Sequence, residues 1–273
     1  MVMNLLKTRR TLAIMAKYWD RGRVKTRLAA SLPIRAERDG AAMSDPDEIA
    51  ATIHEQFVRH LLGGLRDCGD ARELVGSPVE RLDDFQVAAG GKTKGDWQVT
   101  DQGQGNLGER MHRWFSRHLF ATTGFTQREA GSGPCVLIGA DCPLISPADL
   151  DLAWSRLAEH DLVLGPAHDG GYYLIGFQAD TGDAKGRLNS DSLAAIFHDI
   201  PWGTSKVLQR TLAAAEKNSL ATTLLPPRHD VDNADDLQTL MQTLQESGDA
   251  EHPLLQTLSA LEIRCGRQFR SMG

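Results

Sequence analysis

VLIGADCPLISPADLDLAW, residues 136–154, passes from an unbroken apolar run into Asp141-Cys142-Pro143 and then into a helical pattern. The apolar run has the length and the branched residues of a strand buried on both faces. Pro143 takes the chain out of regular pairing directly afterwards. Ser146 is placed as an N-cap with Pro147 at the first helical position, and Leu150, Trp154, Leu157 and Ala158 recur at helical spacing through 147–160. A buried strand feeding at once into a helix is half of a β-α-β unit.

The alternation continues on both sides. TLAIMAK (11–17), ARELVGS (71–77), CVLIGAD (135–141), DLVLGPA (161–167), YYLIGFQ (172–178) and ATTLLPP (221–227) read as strands. Helical periodicity fills 47–65, 107–120, 147–160, 205–218 and 234–247, with Leu107, Met111, Trp114 and Phe115 sharing one face. The segments 17–33, 90–96 and 123–133 read as loops. The order predicts a single α/β domain over 1–247, a mostly parallel central sheet with helices on both faces, and a C-terminal tail over 248–273 with one short helix near 254–263. In such sheets ligands lie beyond the carboxyl ends of the strands, which is where Asp141 falls.

Composition removes several classes of partner. The chain has 273 residues, 30 basic and 36 acidic, for a net charge of −6, with no basic block to bind a nucleic-acid polymer. No apolar run approaches the roughly 18 residues of a membrane span, and MVMNLLKTRR lacks a signal-peptide core, so a cytoplasmic protein is expected. Cys68, Cys135, Cys142 and Cys265 are scattered without a CxxC pair and read as reduced thiols. There is no Walker loop, which excludes the commonest triphosphatase site.

Asp141 taken alone reads as a turn-initiating aspartate, the ordinary use of that residue at a strand end. A second acidic turn, His229-Asp230-Val231-Asp232, also follows an apolar strand and precedes a helix. If the two strands are parallel neighbours, their carboxylates meet at one sheet edge, a set suited to a hard divalent cation such as magnesium shared with phosphates. Either Asp232 or Asn233 can also cap the helix that follows. The loop KYWDRGRVKTRLAASLP (17–33) brings Lys17, Arg21, Arg23, Lys25 and Arg27, which suit a phosphate chain or simply a solvated face. His168 beside Asp169 offers hydrolase chemistry, but no nucleophile motif accompanies the pair. Trp114 and Trp154 fit helix cores better than base-stacking platforms.

Taken in order, RGRVKTRLA (21–29), QGNLGERM (104–111), GADCPLISPADL (139–150), GPAHDGGYYLIGF (165–177), Trp202 with TSKVLQRT (204–211), and DVDNADDL (230–237) resemble the DUF2064 family. That family is grouped with the GT-A, or nucleotide-diphospho-sugar transferase, superfamily, and the resemblance runs from about Leu12 to Leu240. The first loop is also similar to that of 2-phospholactate guanylyltransferases. The resemblance implies a single GT-A-like, Rossmann-like domain and a Mg2+- or Mn2+-dependent transferase that uses a nucleoside triphosphate or nucleotide sugar and a small acceptor. Nucleotidyl transfer is the expected reaction; glycosyl transfer from a nucleotide sugar and non-catalytic nucleotide binding are the alternatives. Carried over by position, it makes Asp141, Asp232 and Asp230 metal ligands, and Asp141, Lys25 and Asp232 catalytic. It places Lys25 and Arg27 on nucleotide phosphates, Gln104 and Gly108 near base or ribose, and Asp169, Gly170, Gly171 and Tyr172 on the acceptor or product side.

Overall fold

A computed structural model describes residues 9–32, 45–91, 97–120, 133–179, 188–249 and 251–264. Among the described residues seven strands form one sheet: β1 (Thr11–Lys17), β2 (Ala71–Ser77), β3 (Gln98–Asp101), β4 (Cys135–Gly139), β5 (Leu162–Pro166), β6 (Tyr172–Phe177) and β7 (Thr222–Leu224). Their spatial order is β3-β2-β1-β4-β6-β5-β7. β1 pairs in parallel with β2 and β4, β2 with β3, and β5 with β7, whereas β6 runs antiparallel to both β4 and β5. The fold is thus a mixed α/β fold with a mostly parallel central sheet. Because only β6 is reversed, the segments after β1, β3, β4, β5 and β7 all emerge at the same edge.

Strand alternation decides which side each residue serves. Leu12 and Ile14 pack with Val58 and Leu61 of α2 (Pro46–Gly64), with Leu65 just after it, and with Phe85 of α3 (Leu82–Ala88) and Leu150 and Trp154 of α5 (Pro147–Leu157). Ala13 and Met15 face the other way, with Met111, Trp114 and Phe115 of α4 (Leu107–Phe120) and Leu193 and Ile196 of α6 (Ser190–Phe197). On that side Ala215 of α7 (Val207–Lys217) joins the same cluster. A third cluster joins Leu28 of α1 (Thr26–Ser31) to Ile53 and Phe57 of α2, Leu237 and Leu244 of α8 (Ala234–Glu246), and Leu254 and Leu258 of α9 (Pro253–Arg264). No helix among the described residues is long and apolar enough to cross a membrane.

Several local expectations change. The basic loop expected over 17–33 contains the one-and-a-half-turn helix α1, whose Leu28 and Ala29 are buried. Strand 221–227 contracts to Thr222–Leu224, since Pro226 and Pro227 have no amide to donate. Strand 135–141 stops at Gly139, which sets Asp141 beyond the sheet. β3, α3 and α6 had no reading: β3 is a half-exposed edge of 4 residues and α6 spans 8. The loops expected at 90–96 and 123–133 lie largely outside the described residues. Cys68, Cys135 and Cys142 are free and buried, as reduced thiols should be, and Cys265 lies outside the described residues.

Candidate metal and nucleotide site

The site grows from the ends of β1, β4, β5 and β7. After β5 the chain makes a tight turn through Ala167-His168-Asp169-Gly170-Gly171 into β6, with Ala167 N donating to Gly171 O at 3.0 Å and Gly171 N to Asp169 Oδ1 at 2.7 Å. Gly170 has φ +91°, and a Cβ there would lie 2.3 Å from Ser205 O, so both the turn and the close approach require glycine. The segment after β7 zips against this turn: Arg228 N donates to Pro166 O at 3.0 Å and His168 N to Arg228 O at 3.2 Å. The Arg228 guanidinium is tied in turn to buried Asp149 of α5, with Nη2–Oδ1 at 2.6 Å.

This zipper brings together three carboxylates. Asp169, Asp230 and Asp232 each offer an oxygen within 4.8 Å of the others. Burial pushes the Asp230 carboxyl up to about 6, and the negative charges of Asp169, Asp232 and Asp141 push the same way. The cap of α8 is settled as well. Asn233 Oδ1 accepts from the amides of Asp235 and Asp236 at 2.9 and 3.0 Å, and Asp236 Oδ2 accepts from the amides of Asp232 and Asn233 at 2.9 and 3.0 Å. Asn233 is therefore the cap, and the Asp232 carboxylate is free for other partners.

Asp141 has a different partner from the one expected. Its carboxylate forms an ion pair with Lys25 Nζ, and the same ammonium donates to Val231 O at 2.6 Å. Lys25 itself stands just before α1 with φ 48°, a left-handed conformation unusual for a non-glycine residue. Its side chain is 3 % exposed, against 55 % for Asp141. Partial enclosure of the Asp141 carboxyl opposes its ionisation, but the Lys25 and His54 charges and the Lys25 hydrogen bond outweigh this and hold it below the usual carboxylate range. Val231 N also donates to Asp141 O at 3.0 Å, so the two acidic turns are joined backbone to backbone. Arg27, on the first turn of α1, reaches Asp232 with Nη1–Oδ2 at 3.1 Å while its side chain remains 72 % exposed.

The remaining expected residues are distributed around this centre. Gln102, which had no reading, is buried at the end of β3 and donates to Ala16 O at 2.8 Å and Val75 O at 3.0 Å, pinning the glycine-rich loop to the sheet edge. Arg113 Nη2 donates to the backbone Gln104 O at 2.8 Å, and Gln104 is exposed. Gly108 sits under Trp202: a Cβ would lie 2.7 Å from the indole Nε1, so glycine at this position serves that contact. Tyr172 turns its hydroxyl into the helical layer, buried beside Thr211 of α7, rather than toward the carboxylates. His168 stacks on His229 with centroids 3.8 Å apart, which gives it a partner other than Asp169. His54 of α2 was also missed; it is buried 3.9 Å from Asp141, and a histidine among Ile49, Ile53, Phe57 and Leu61 was the only signal in the sequence.

The family model described as "Uncharacterized protein conserved in bacteria (DUF2064)" matches residues 71–204. No curated protein matches the chain. A crystal structure from Desulfovibrio desulfuricans G20, described provisionally as a nucleotide-diphospho-sugar transferase, is 25 % identical with a TM-score of 0.75, over 95 % of this chain and 97 % of that one. Rv0371c of Mycobacterium tuberculosis H37Rv, in complex with manganese, is 16 % identical with a TM-score of 0.44, over 85 % and 97 %. A nucleotidyl transferase from Methanothermobacter thermautotroptrophicus is 14 % identical with a TM-score of 0.46, over 88 % and 99 %.

Proposed function

For a chain that carries the DUF2064 pattern over 71–204 and shares its fold with the Desulfovibrio protein, we propose a divalent-metal-dependent transferase that takes a nucleoside triphosphate and passes its nucleotidyl group to a small acceptor. The observation that carries this reading is the convergence of Asp169, Asp230 and Asp232 at the carboxyl edge of a parallel-rich sheet. Three carboxylates without a thiolate or imidazole in the set suit a hard cation, Mg2+ or Mn2+. The raised Asp230 carboxyl fits the same group, because a site whose charges repel when alone is relieved by a cation.

Asp169, Asp230 and Asp232 would hold the ion. When bound, it supplies Lewis-acid charge stabilisation to phosphate oxygens. Arg27 is exposed on the same rim and carries the guanidinium best placed to pair with a phosphate. Lys25 neutralises Asp141 and, through Val231, fixes the turn bearing Asp230 and Asp232. The acceptor oxygen attacks the α-phosphate and pyrophosphate leaves, while the glycine-rich loop pinned by Gln102 and Arg113 flanks the nucleoside side of the cleft.

The test is a panel of nucleoside triphosphates and nucleotide sugars with Mg2+, Mn2+ or chelator, read by calorimetry and by release of pyrophosphate or nucleoside diphosphate. Metal-dependent triphosphate binding with pyrophosphate release upon supply of small phosphorylated or hydroxylated acceptors supports the proposal. Nucleoside diphosphate released from a nucleotide sugar replaces it with glycosyl transfer, and binding without turnover replaces it with a nucleotide-binding role.

A further inference from the structure

The basic segment 17–33 offers fewer free cations than its composition promises. Lys25, expected on the phosphates, has a side chain only 3 % exposed, and its ammonium is taken by Asp141 and Val231 O. Arg21 is paired with Asp45 and Arg27 with Asp232. Two exposed cations remain without an ion pair or a side-chain hydrogen bond among the described residues, Lys17 and Arg23, and of the two only Lys17 belongs to the sheet.

Its place in the fold gives that ammonium a use. Lys17 closes β1 in register with Ser77 of β2, and on the other side of β1 the last pair in register is Met15 with Gly139 of β4. Two residues beyond that pair the parallel chains reach Lys17 and Asp141, so the lysine and the acidic turn leave the sheet side by side. Three hydrogen bonds fix the backbone around Lys17. Gln102, just after β3, donates to Ala16 O at 2.8 Å, His54 Nε2 to Lys17 O at 3.0 Å, and Tyr18 N to Ser77 O at 2.7 Å.

Strand order decides what can pass over this point. The glycine-rich loop follows β3, and the turn 230–232 is bonded to the turn after β4 through Val231 N and Asp141 O. In the order β3-β2-β1-β4, Lys17 therefore stands between the nucleoside side of the cleft and the carboxylate trio, β3 and β4 being three strand spacings, roughly 14 Å, apart. The group that joins a nucleoside to a divalent cation is an oligophosphate chain, and a free ammonium on a fixed backbone suits it.

We propose that Lys17 is the lysine that binds the phosphate chain, in the place the resemblance gives to Lys25, and that Lys25 instead ties the two acidic turns together. The assignment rests on the nucleoside triphosphate reading of the cleft and names the side chain that meets the triphosphate.

Inorganic tripolyphosphate with Mn2+, titrated by calorimetry, tests this without a base, an acceptor or turnover. Wild type should bind it. Lys17→Met should bind it at least roughly tenfold more weakly, the loss expected for one hydrogen bond between charged groups, and Lys17→Arg should keep most of the affinity. Lys217→Met, which removes the same charge from the last turn of α7, should leave the affinity within about twofold. Without ligand, the melting temperature should be unchanged in Lys17→Met and lower in Lys25→Met, which loses the link between Asp141 and Val231 O. Equal affinity in wild type and Lys17→Met, an equal loss in Lys217→Met, or no binding by wild type overturns the proposal. So does a Lys25→Met variant that melts like wild type yet loses more affinity than Lys17→Met. The two readings fail separately. Pyrophosphate release that survives Lys17→Met with KM unchanged removes Lys17 and keeps the transferase, whereas Lys17-dependent tripolyphosphate binding in a protein that never releases pyrophosphate keeps Lys17 and removes the transfer.

Discussion

The amide of Val231 donates to the carbonyl of Asp141 at 3.0 Å, a bond between residues 90 positions apart that joins the turn after β4 to the turn after β7. It places the two acidic turns of the sequence on one ledge, yet their carboxylates are used differently. Asp141 faces an ammonium, whereas Asp230 and Asp232 face Asp169. The behaviour of the site under mutation and pH follows from this division.

Asp230→Asn should stabilise the metal-free protein and weaken Mn2+ binding at once. The Asp230 carboxyl is raised in the folded state, so its contribution to stability is present below the ordinary aspartate range and is lost as pH rises to about 6. In chelator at pH 8 the variant should therefore melt higher than wild type, with the difference shrinking as pH falls toward 4. A lower melting temperature at pH 8, or unchanged Mn2+ affinity by calorimetry, contradicts the assignment.

Arg27→Ala should weaken nucleoside triphosphate binding by roughly 1.5–3 kcal/mol, the range for a hydrogen bond to a charged group. Its pair with Asp232 is largely exposed, so the melting temperature without nucleotide should change little. Calorimetric titration and a thermal melt separate the two effects.

Asn233→Ala should destabilise the fold by about 1 kcal/mol through loss of the α8 cap. The Asp232 carboxylate takes no part in that cap, so metal affinity should survive. Denaturant melts and Mn2+ titration check both halves, and a loss of metal binding equal to that of Asp232→Asn would show that the cap and the ligand set act as one unit.

Gly170→Ala forces a side chain into a left-handed backbone and onto Ser205 O. A loss of at least about 2 kcal/mol is expected from the backbone term and the clash together. The turn bearing Asp169 should be the part displaced, so Mn2+ affinity should fall as well.

Glu73 supplies a control remote from the carboxylate trio. Burial opposes its ionisation, but hydrogen bonding and charge from His118, with Arg117 and Trp114, outweigh this and lower the Glu73 pKa. Its stabilisation is present above the ordinary glutamate range and is lost as pH falls through the lowered value. Glu73→Gln should lower stability at neutral pH and flatten the acid limb of the melting-temperature profile below about pH 4.5. An unchanged acid limb would remove Glu73 from the groups that drive acid unfolding.

Much of this molecule was decided by local pattern. The apolar runs of β1, β2, β4, β5 and β6 announce buried strands because every second residue, or every residue, must leave water. Ser146-Pro147 and Asn233 mark helix starts because unpaired amides demand a nearby oxygen. The half-exposed edge strand β3, of 4 residues, and the helices α1 and α6, of 6 and 8, are too short to develop a periodicity and carried no such signal. The acidic turns after β4 and β7 were legible as well, since a carboxylate ending a buried strand breaks the pattern visibly. What only the tertiary structure decided is which charge meets which. Strand order sets β6 and β5 between β4 and β7, the Arg228 zipper draws Asp169 toward Asp230 and Asp232, and the left-handed turn at Lys25 aims its ammonium at Asp141. Such pairings act over a few ångströms between residues 60 to 206 positions apart, and no periodicity along the chain encodes a distance across it.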